Sequence, residues 1–94
     1  MRGHIITEDR FLHMGTDHRL FVTEIENVEN EFRFEVTRIP PGGDAPETVF
    51  EKLVNFSARL AQCPETPIDQ LVNAELTAVR NAVFGDEALH VHDP

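Results

Sequence analysis

The sequence contains no tryptophan, no tyrosine and only one cysteine, Cys63. One thiol cannot form an intramolecular disulfide, so the fold must be stable without covalent cross-links, as in a reducing cytosol. Zinc sites built from several thiolates are excluded for the same reason. Without tryptophan and tyrosine, the chain also lacks two of the rings on which nucleic-acid bases stack. We expect Cys63, at the end of a predicted helix, to be a small buried hydrophobe.

Long apolar runs are missing as well. Residues 1–9 have only two adjacent apolar residues before the acids begin, which is no signal-peptide core. No later stretch approaches the roughly 18 apolar residues that a membrane span needs, because polar and charged residues interrupt every apolar run. These features predict a cytoplasmic protein without a membrane partner.

Positive charge is scarce: 8 Lys and Arg stand against 17 Asp and Glu, which gives a net charge of -9 and a pI near 4.8. This balance argues against nucleic acid as a partner, because phosphate contacts require cationic side chains. Leu, Ile, Val and Phe nevertheless make up 28 of the 94 residues. That share is well above the roughly 20% below which chains stay disordered, so we expect one folded domain with one core.

The first half of the chain has the two-residue alternation of β-strands. In the segment 31–39, Phe32, Phe34 and Val36 alternate with polar residues, which predicts a half-buried antiparallel strand. Residues 19–25 are β-branched and aromatic, and the asparagine-containing segment 26–30 is suited to a turn, so the two runs should form a hairpin. Residues 11–14 should add a third strand. Residues 4–7 form either a separate short strand or the start of one long bent strand through Met14.

The second half is predicted to be helical. The segment 40–44, with two prolines and two glycines, separates the two patterns. A helix is predicted from Pro46, with Asp44 as its N-cap, to about Gln62, because apolar residues recur there at spacings of three and four. A second helix should begin at Pro67 with Thr66 as its N-cap and end at Gly85.

These elements predict a two-layer α+β domain of order βββ(β)αα, in which two helices cover one face of a three- to four-stranded antiparallel meander. The single domain, residues 1–94, divides into a sheet (1–39), a linker (40–45), two helices (46–85) and a tail (86–94) that alternates like a short strand. The opposite sheet face should carry Arg33, Glu35 and Thr37, with Thr23 or Glu24. Cross-strand pairing with acids is the simplest role for the arginines of this region.

Five histidines suggest a metal site. His90 and His92 would lie on one side of an extended strand, and His4, His13, His18 or Asp93 would have to converge on them to complete a ligand set. Nothing in the spacing enforces this convergence. We therefore keep a small metal- or ligand-binding protein that uses a histidine cluster as the alternative function.

Catalytic motifs are not evident. Ser57 is the only serine and falls on the apolar side of the predicted first helix, where a small residue favours close packing. No spacing singles out two of the carboxylates as an acid-base pair, and the linker lacks the lysine and the hydroxyl residue of a phosphate-binding loop. We predict no catalytic residue and no cofactor, and an enzyme is the less favoured interpretation.

The most distinctive local feature is an acidic hairpin tip with Glu24, Glu26, Glu29 and Glu31, followed on the strand by Arg33 and Glu35. Such a tip either protects a sheet edge and aids solubility or attracts a basic partner. The leading hypothesis is a non-enzymatic protein-interaction module, regulatory or inhibitory, which binds a basic protein and forms a homodimer through a sheet edge or helix face. In element order and acidity the chain resembles small immunity and anti-defence proteins of bacteria and phages, a likeness that implies no function by itself.

Overall fold

The computed structural model describes residues 3–43, 45–85 and 88–91, and their side chains from residue 5 to 85. The elements in chain order are β1 (Gly3–His13), β2 (Thr16–Ile25), β3 (Glu31–Ile39), β4 (Glu47–Asn55), α1 (Ser57–Gln62), α2 (Ile68–Phe84) and β5 (Ala88–Val91). The strands form one antiparallel sheet in the order β4-β3-β2-β1-β5. The four-stranded meander followed by two helices confirms the predicted α+β class.

Strand β1 is one long strand, so the second of the two alternatives for the N-terminal segment is correct. Its pairing with β2 runs from Gly3 opposite Ile25 to His13 opposite Thr16. The register shifts between Ile5 and Thr7. Such an irregularity bends a strand and re-aims its side chains.

Strands β2 and β3 build the centre of the core, as their alternation predicts. Leu20 pairs with Val36 and Val22 pairs with Phe34, and each of these four side chains is at most 1% exposed. We call this side the helix-covered face and the opposite side the open face. The turn between the strands places Asn27 (φ 68°) and Asn30 (φ 62°) in the left-handed region, which asparagine tolerates better than most residues.

The predicted first helix over residues 46–62 is wrong for most of its length. Residues Glu47–Asn55 form strand β4, and only Ser57–Gln62 is helical. The spacing of four that links Phe50 to Val54 fits a strand as well as a helix, and β3 offers a free edge on which this segment pairs. A distant pairing partner thus outweighs the local pattern. The predicted N-cap, Asp44, lies outside the described residues.

Helix α2 covers the sheet. It begins one residue later than predicted, without a side-chain cap hydrogen bond, and ends at Gly85, whose φ of 61° suits glycine. Val72, Val79 and Phe84 enter the core with the apolar side chains of the strands. Helix α1 has no buried residue and contributes the half-buried Leu60 at the margin of this core.

The sheet-facing side of α2 carries a buried charged side chain, Glu75. Glu75 is 8% exposed and lies 3.4 Å from the Lys52 ammonium of β4, on the helix-covered face. Burying a carboxylate costs free energy unless it is paired, so this contact compensates for the position of Glu75 in the layer between helix and sheet.

Candidate partner-binding site

The predicted patch around the hairpin tip is divided between the two faces of the sheet. Glu24 pairs with Phe32 in the register and therefore lies on the helix-covered side, whereas Thr23 pairs with Arg33 on the open face. Glu31, Arg33 and Glu35 alternate with the core residues of β3 and also belong to the open face. Glu26 and Glu29 are exposed in the connecting turn. The six residues consequently do not form one surface.

Two of the predicted carboxylates border a cleft between the hairpin tip and the start of α2. The cleft has a volume of about 370 Å³ and is lined by Ile6, Glu24, Val28, Glu29, Asn30, Phe32, Ile68, Asp69 and Val72. Its apolar lining includes Ile6 and Val28, which are 43% and 40% exposed. Glu24, Glu29 and Asp69 add carboxylates, and the lining contains neither lysine nor arginine. The cleft therefore combines apolar side chains with three carboxylates.

Local geometry fixes the position of Glu29 at this cleft. The backbone carbonyl of Glu29 accepts hydrogen bonds from Asn55 Nδ2 (3.4 Å) and Ser57 Oγ (3.5 Å), and the Phe56 amide donates to the Asn30 carbonyl (2.9 Å). The end of β4 and the start of α1 thus hold the turn from outside the hairpin. The tip is therefore anchored to the rest of the fold rather than projecting freely.

The sequence indicates two of the three carboxylates of this site, Glu24 and Glu29, and misses both Asp69 and the apolar half. Ile6, Phe32 and Ile68 come from three distant segments, and only folding brings them together. The one local signal is Val28, an apolar residue at the centre of an otherwise polar turn. An exposed apolar residue at a tip is more informative than acids, which are common in turns.

On the open face, arginines lie near carboxylates, across two strands as predicted in one pair and along the same strand in the other. Arg19 is 3.8 Å from Glu8 across the β1–β2 pair, and Arg33 is 3.8 Å from Glu35 on the same strand. Thr48 of β4 donates a 2.7 Å hydrogen bond to Glu35. These pairs give the face mixed charge rather than a cationic surface.

Two histidines meet at the other end of the sheet. The rings of His13 and His18 have centroids 5.5 Å apart, and both rings contact Phe84. Among the described residues, no group of three or more potential metal-ligating side chains comes together. His90 occupies the β5 position opposite Phe11, and the structure describes its backbone only. His92 lies outside the described residues, so the pairing of His90 with His92 stays a prediction.

Two expectations about single residues are wrong. Cys63 is exposed and directly follows the end of α1, in a run of exposed residues. Ser57 is exposed as well and is the first residue of α1, where its amide N–H donates a 2.9 Å hydrogen bond to the Asn55 side-chain oxygen. Both predictions depended on one helix over residues 46–62, which the structure replaces with a strand and a short helix.

Comparison of the chain with protein-family models, with curated proteins and with solved structures finds no match. In the described part of the chain, neither helix combines the length and the apolar character that crossing a bilayer requires. Any functional conclusion therefore depends on the geometry of the site.

Proposed function

We propose that this chain is a non-enzymatic protein-interaction module of the cytoplasm, and that its cleft binds a basic side chain of a partner protein. The observation that carries the proposal is the combination of an apolar lining with carboxylates and no lysine or arginine in one cleft. A module of this kind acts as a regulator or inhibitor by occupying the basic surface of its partner.

The lining matches the two chemical parts of an arginine or lysine. The long stem of such a side chain buries apolar surface while its charged end stays near water. Here Val28 and Ile68 offer apolar contact, and Glu29 and Asp69 offer acceptors for the cationic group. Arginine is the better match, since its guanidinium donates to carboxylates in a fixed fork.

The charge of the whole chain supports the same partner. A net charge of -9 attracts a cationic protein before contact and raises the rate of encounter at low ionic strength. The cleft then adds short-range contacts that general attraction lacks. Binding should therefore weaken with salt and still depend on the apolar lining.

A peptide of alternating arginine and leucine tests the cleft, with NMR amide shifts of the full chain at low salt as the measurement. We expect shifts to concentrate at Val28, Ile68 and Val72. Replacing Glu29 with lysine should weaken binding by about tenfold, the effect of a close charge pair worth about 1.4 kcal/mol. Glu51→Lys is the matched control, because it changes the net charge equally at an exposed position on β4.

The control separates the cleft from general attraction. If Glu29→Lys and Glu51→Lys weaken peptide binding equally, binding depends only on the net charge and the cleft has no special role. If the shifts spread over the open face instead, the partner-binding surface lies there and the proposal is wrong.

A second candidate is self-association through β4. This strand is an edge of the described sheet, and it exposes Val49 and Leu53 by 45% and 50%. An edge strand with exposed apolar side chains can pair with a second copy. Light scattering after size exclusion should then give about twice 10.7 kDa for the wild type and 10.7 kDa for Leu53→Lys. A monomeric wild type at high concentration would refute this candidate.

A further inference from the structure

Ile6 lies at the point where strand β1 changes its register with β2. Ile5 is opposite Thr23 and Thr7 is opposite Val22, so β1 contains one extra residue, Ile6, without a partner on β2. Thr23 belongs to the open face and Val22 to the helix-covered face. An inserted residue of this kind is a β-bulge, which re-aims a side chain and is frequent next to active sites. The regular alternation of β1 is therefore interrupted at position 6.

The bulge directs an exposed aliphatic side chain into the acidic cleft. In a regular strand, the residue before Thr7 would point to the open face, because successive side chains alternate. Instead, Ile6 lines the cleft with Phe32 of β3 and Val72 of α2, which are each 6% exposed and belong to the core. Ile6 itself is 43% exposed. Two of these apolar residues are thus core side chains, and Ile6 adds an accessible one.

The apolar part of the cleft is larger than one basic side chain requires. Val28 and Ile68 directly precede Glu29 and Asp69 in the sequence, so they can contact the stem of an arginine whose guanidinium reaches these carboxylates. The other three apolar side chains of the lining are then left for another contact. The cleft volume of about 370 Å³ is within the range of roughly 300–1,000 Å³ that is typical of small-molecule sites. A space of this size accommodates more than one side chain.

We propose that the cleft binds two neighbouring side chains of its partner, one basic and one aliphatic, and that Ile6 selects the aliphatic one. This inference rests on the proposed function and defines the partner more narrowly. A net charge of -9 attracts any cationic protein, so long-range attraction does not distinguish one basic partner from another. Contact between Ile6 and an aliphatic side chain supplies that distinction at short range.

The same contact disfavours a purely polar basic surface. A polar side chain placed against Ile6, Phe32 and Val72 finds no hydrogen-bond partner among them, and burying it there costs free energy. An aliphatic side chain gains free energy at the same place by leaving water. The partner class is therefore a basic protein that presents an arginine beside an exposed aliphatic residue.

Two peptides of equal charge test the inference, one alternating arginine with leucine and the other alternating arginine with serine. We expect the wild-type chain to bind the leucine peptide at least about tenfold more tightly, the usual effect of aliphatic groups in an apolar pocket. Ile6→Thr keeps a β-branched side chain, which suits a strand, and should reduce this preference to about threefold or less. Isothermal titration calorimetry of the full chain at low salt measures all four affinities.

Ile5→Thr is the matched control. It makes the same substitution one residue earlier, on the open face, where Ile5 is 56% exposed. The preference for the leucine peptide should remain unchanged in this variant. A measurement on the wild type avoids any loss of folding: NMR cross-relaxation from the leucine methyl groups of the bound peptide should reach Ile6 and Val72, and not Ile5.

Equal affinity of the wild type for the two peptides would overturn the inference. The proposed function would survive that result if Glu29→Lys still weakened both peptides more than Glu51→Lys. Equal loss of the preference in Ile5→Thr and Ile6→Thr, or cross-relaxation to Ile5 in place of Ile6, would also overturn it, because the aliphatic contact would then lie outside the cleft. If Glu29→Lys and Glu51→Lys had equal effects on both peptides, the proposed function would fail, and this inference with it.

Discussion

The same strands form both faces of the sheet, but the two faces differ in burial and in charge. On the helix-covered face, Val22, Phe34 and Val36 are fully buried beneath α2. On the open face, positions one residue away carry Phe21 and Arg33, which are half-buried, beside pairs of opposite charge. The helix-covered face therefore holds most of the core under α2, whereas the open face combines half-buried side chains and ion pairs with the buried Thr23 and Thr37.

A pair of phenylalanines gives the largest test of this comparison. Phe34→Ala should cost about 3–5 kcal/mol, the usual effect of removing a fully buried phenylalanine. Phe21→Ala should cost only about 1 kcal/mol, because this side chain is half-buried on the open face. Urea unfolding followed by circular dichroism measures both. Equal losses would show that something covers the open face.

The ion pair between the buried Glu75 of α2 and Lys52 of β4 should have the next largest effect. Lys52→Ala leaves the Glu75 carboxylate, 8% exposed, without its ammonium and should cost about 1–2 kcal/mol. Replacing Glu75 with leucine in the same chain should restore much of that loss, because leucine leaves no buried carboxylate that needs a charge partner. A double-mutant cycle from urea unfolding gives the coupling. No coupling would mean that water already satisfies Glu75.

On the open face, breaking an ion pair should matter little. Arg19 and Glu8 are 3.8 Å apart and 43% and 38% exposed, so Arg19→Ala should change the free energy of unfolding by no more than about 1 kcal/mol. The same measurement in high salt should reduce the effect further. A larger loss would place Arg19 among the residues that hold the sheet together.

The smallest effect on stability is expected at the hairpin tip. Glu29→Lys should change the free energy of unfolding by less than about 0.5 kcal/mol, because the side chain is exposed and the contacts of this residue use its backbone carbonyl. The same substitution should strongly weaken binding of the basic peptide. If Glu29→Lys lowers both the free energy of unfolding and the affinity for the peptide, the loss of binding is due to unfolding rather than to the cleft.

Much of the fold can be predicted from the local sequence pattern, but the point where the sheet ends and the helices begin cannot. The alternation of Phe32, Phe34 and Val36 predicts β3 correctly, and Gly85 marks the end of α2. Strand β4 escapes prediction because the spacing of Phe50 and Val54 satisfies two periodicities, and only pairing with β3 decides between them. The apolar half of the cleft cannot be predicted for a related reason, since Ile6 and Ile68 become neighbours only in the folded chain.

The strand order has a consequence for the rate at which the chain folds. Strands β1 to β4 each pair with the next strand along the chain, so three hairpins can form through short loops. The pairing of β5 with β1 is different, because it brings His13 and Ala88 together across most of the sequence. Closing so long a loop is entropically unfavourable until the intervening chain is ordered. The last strand should therefore dock after the meander and α2 have assembled.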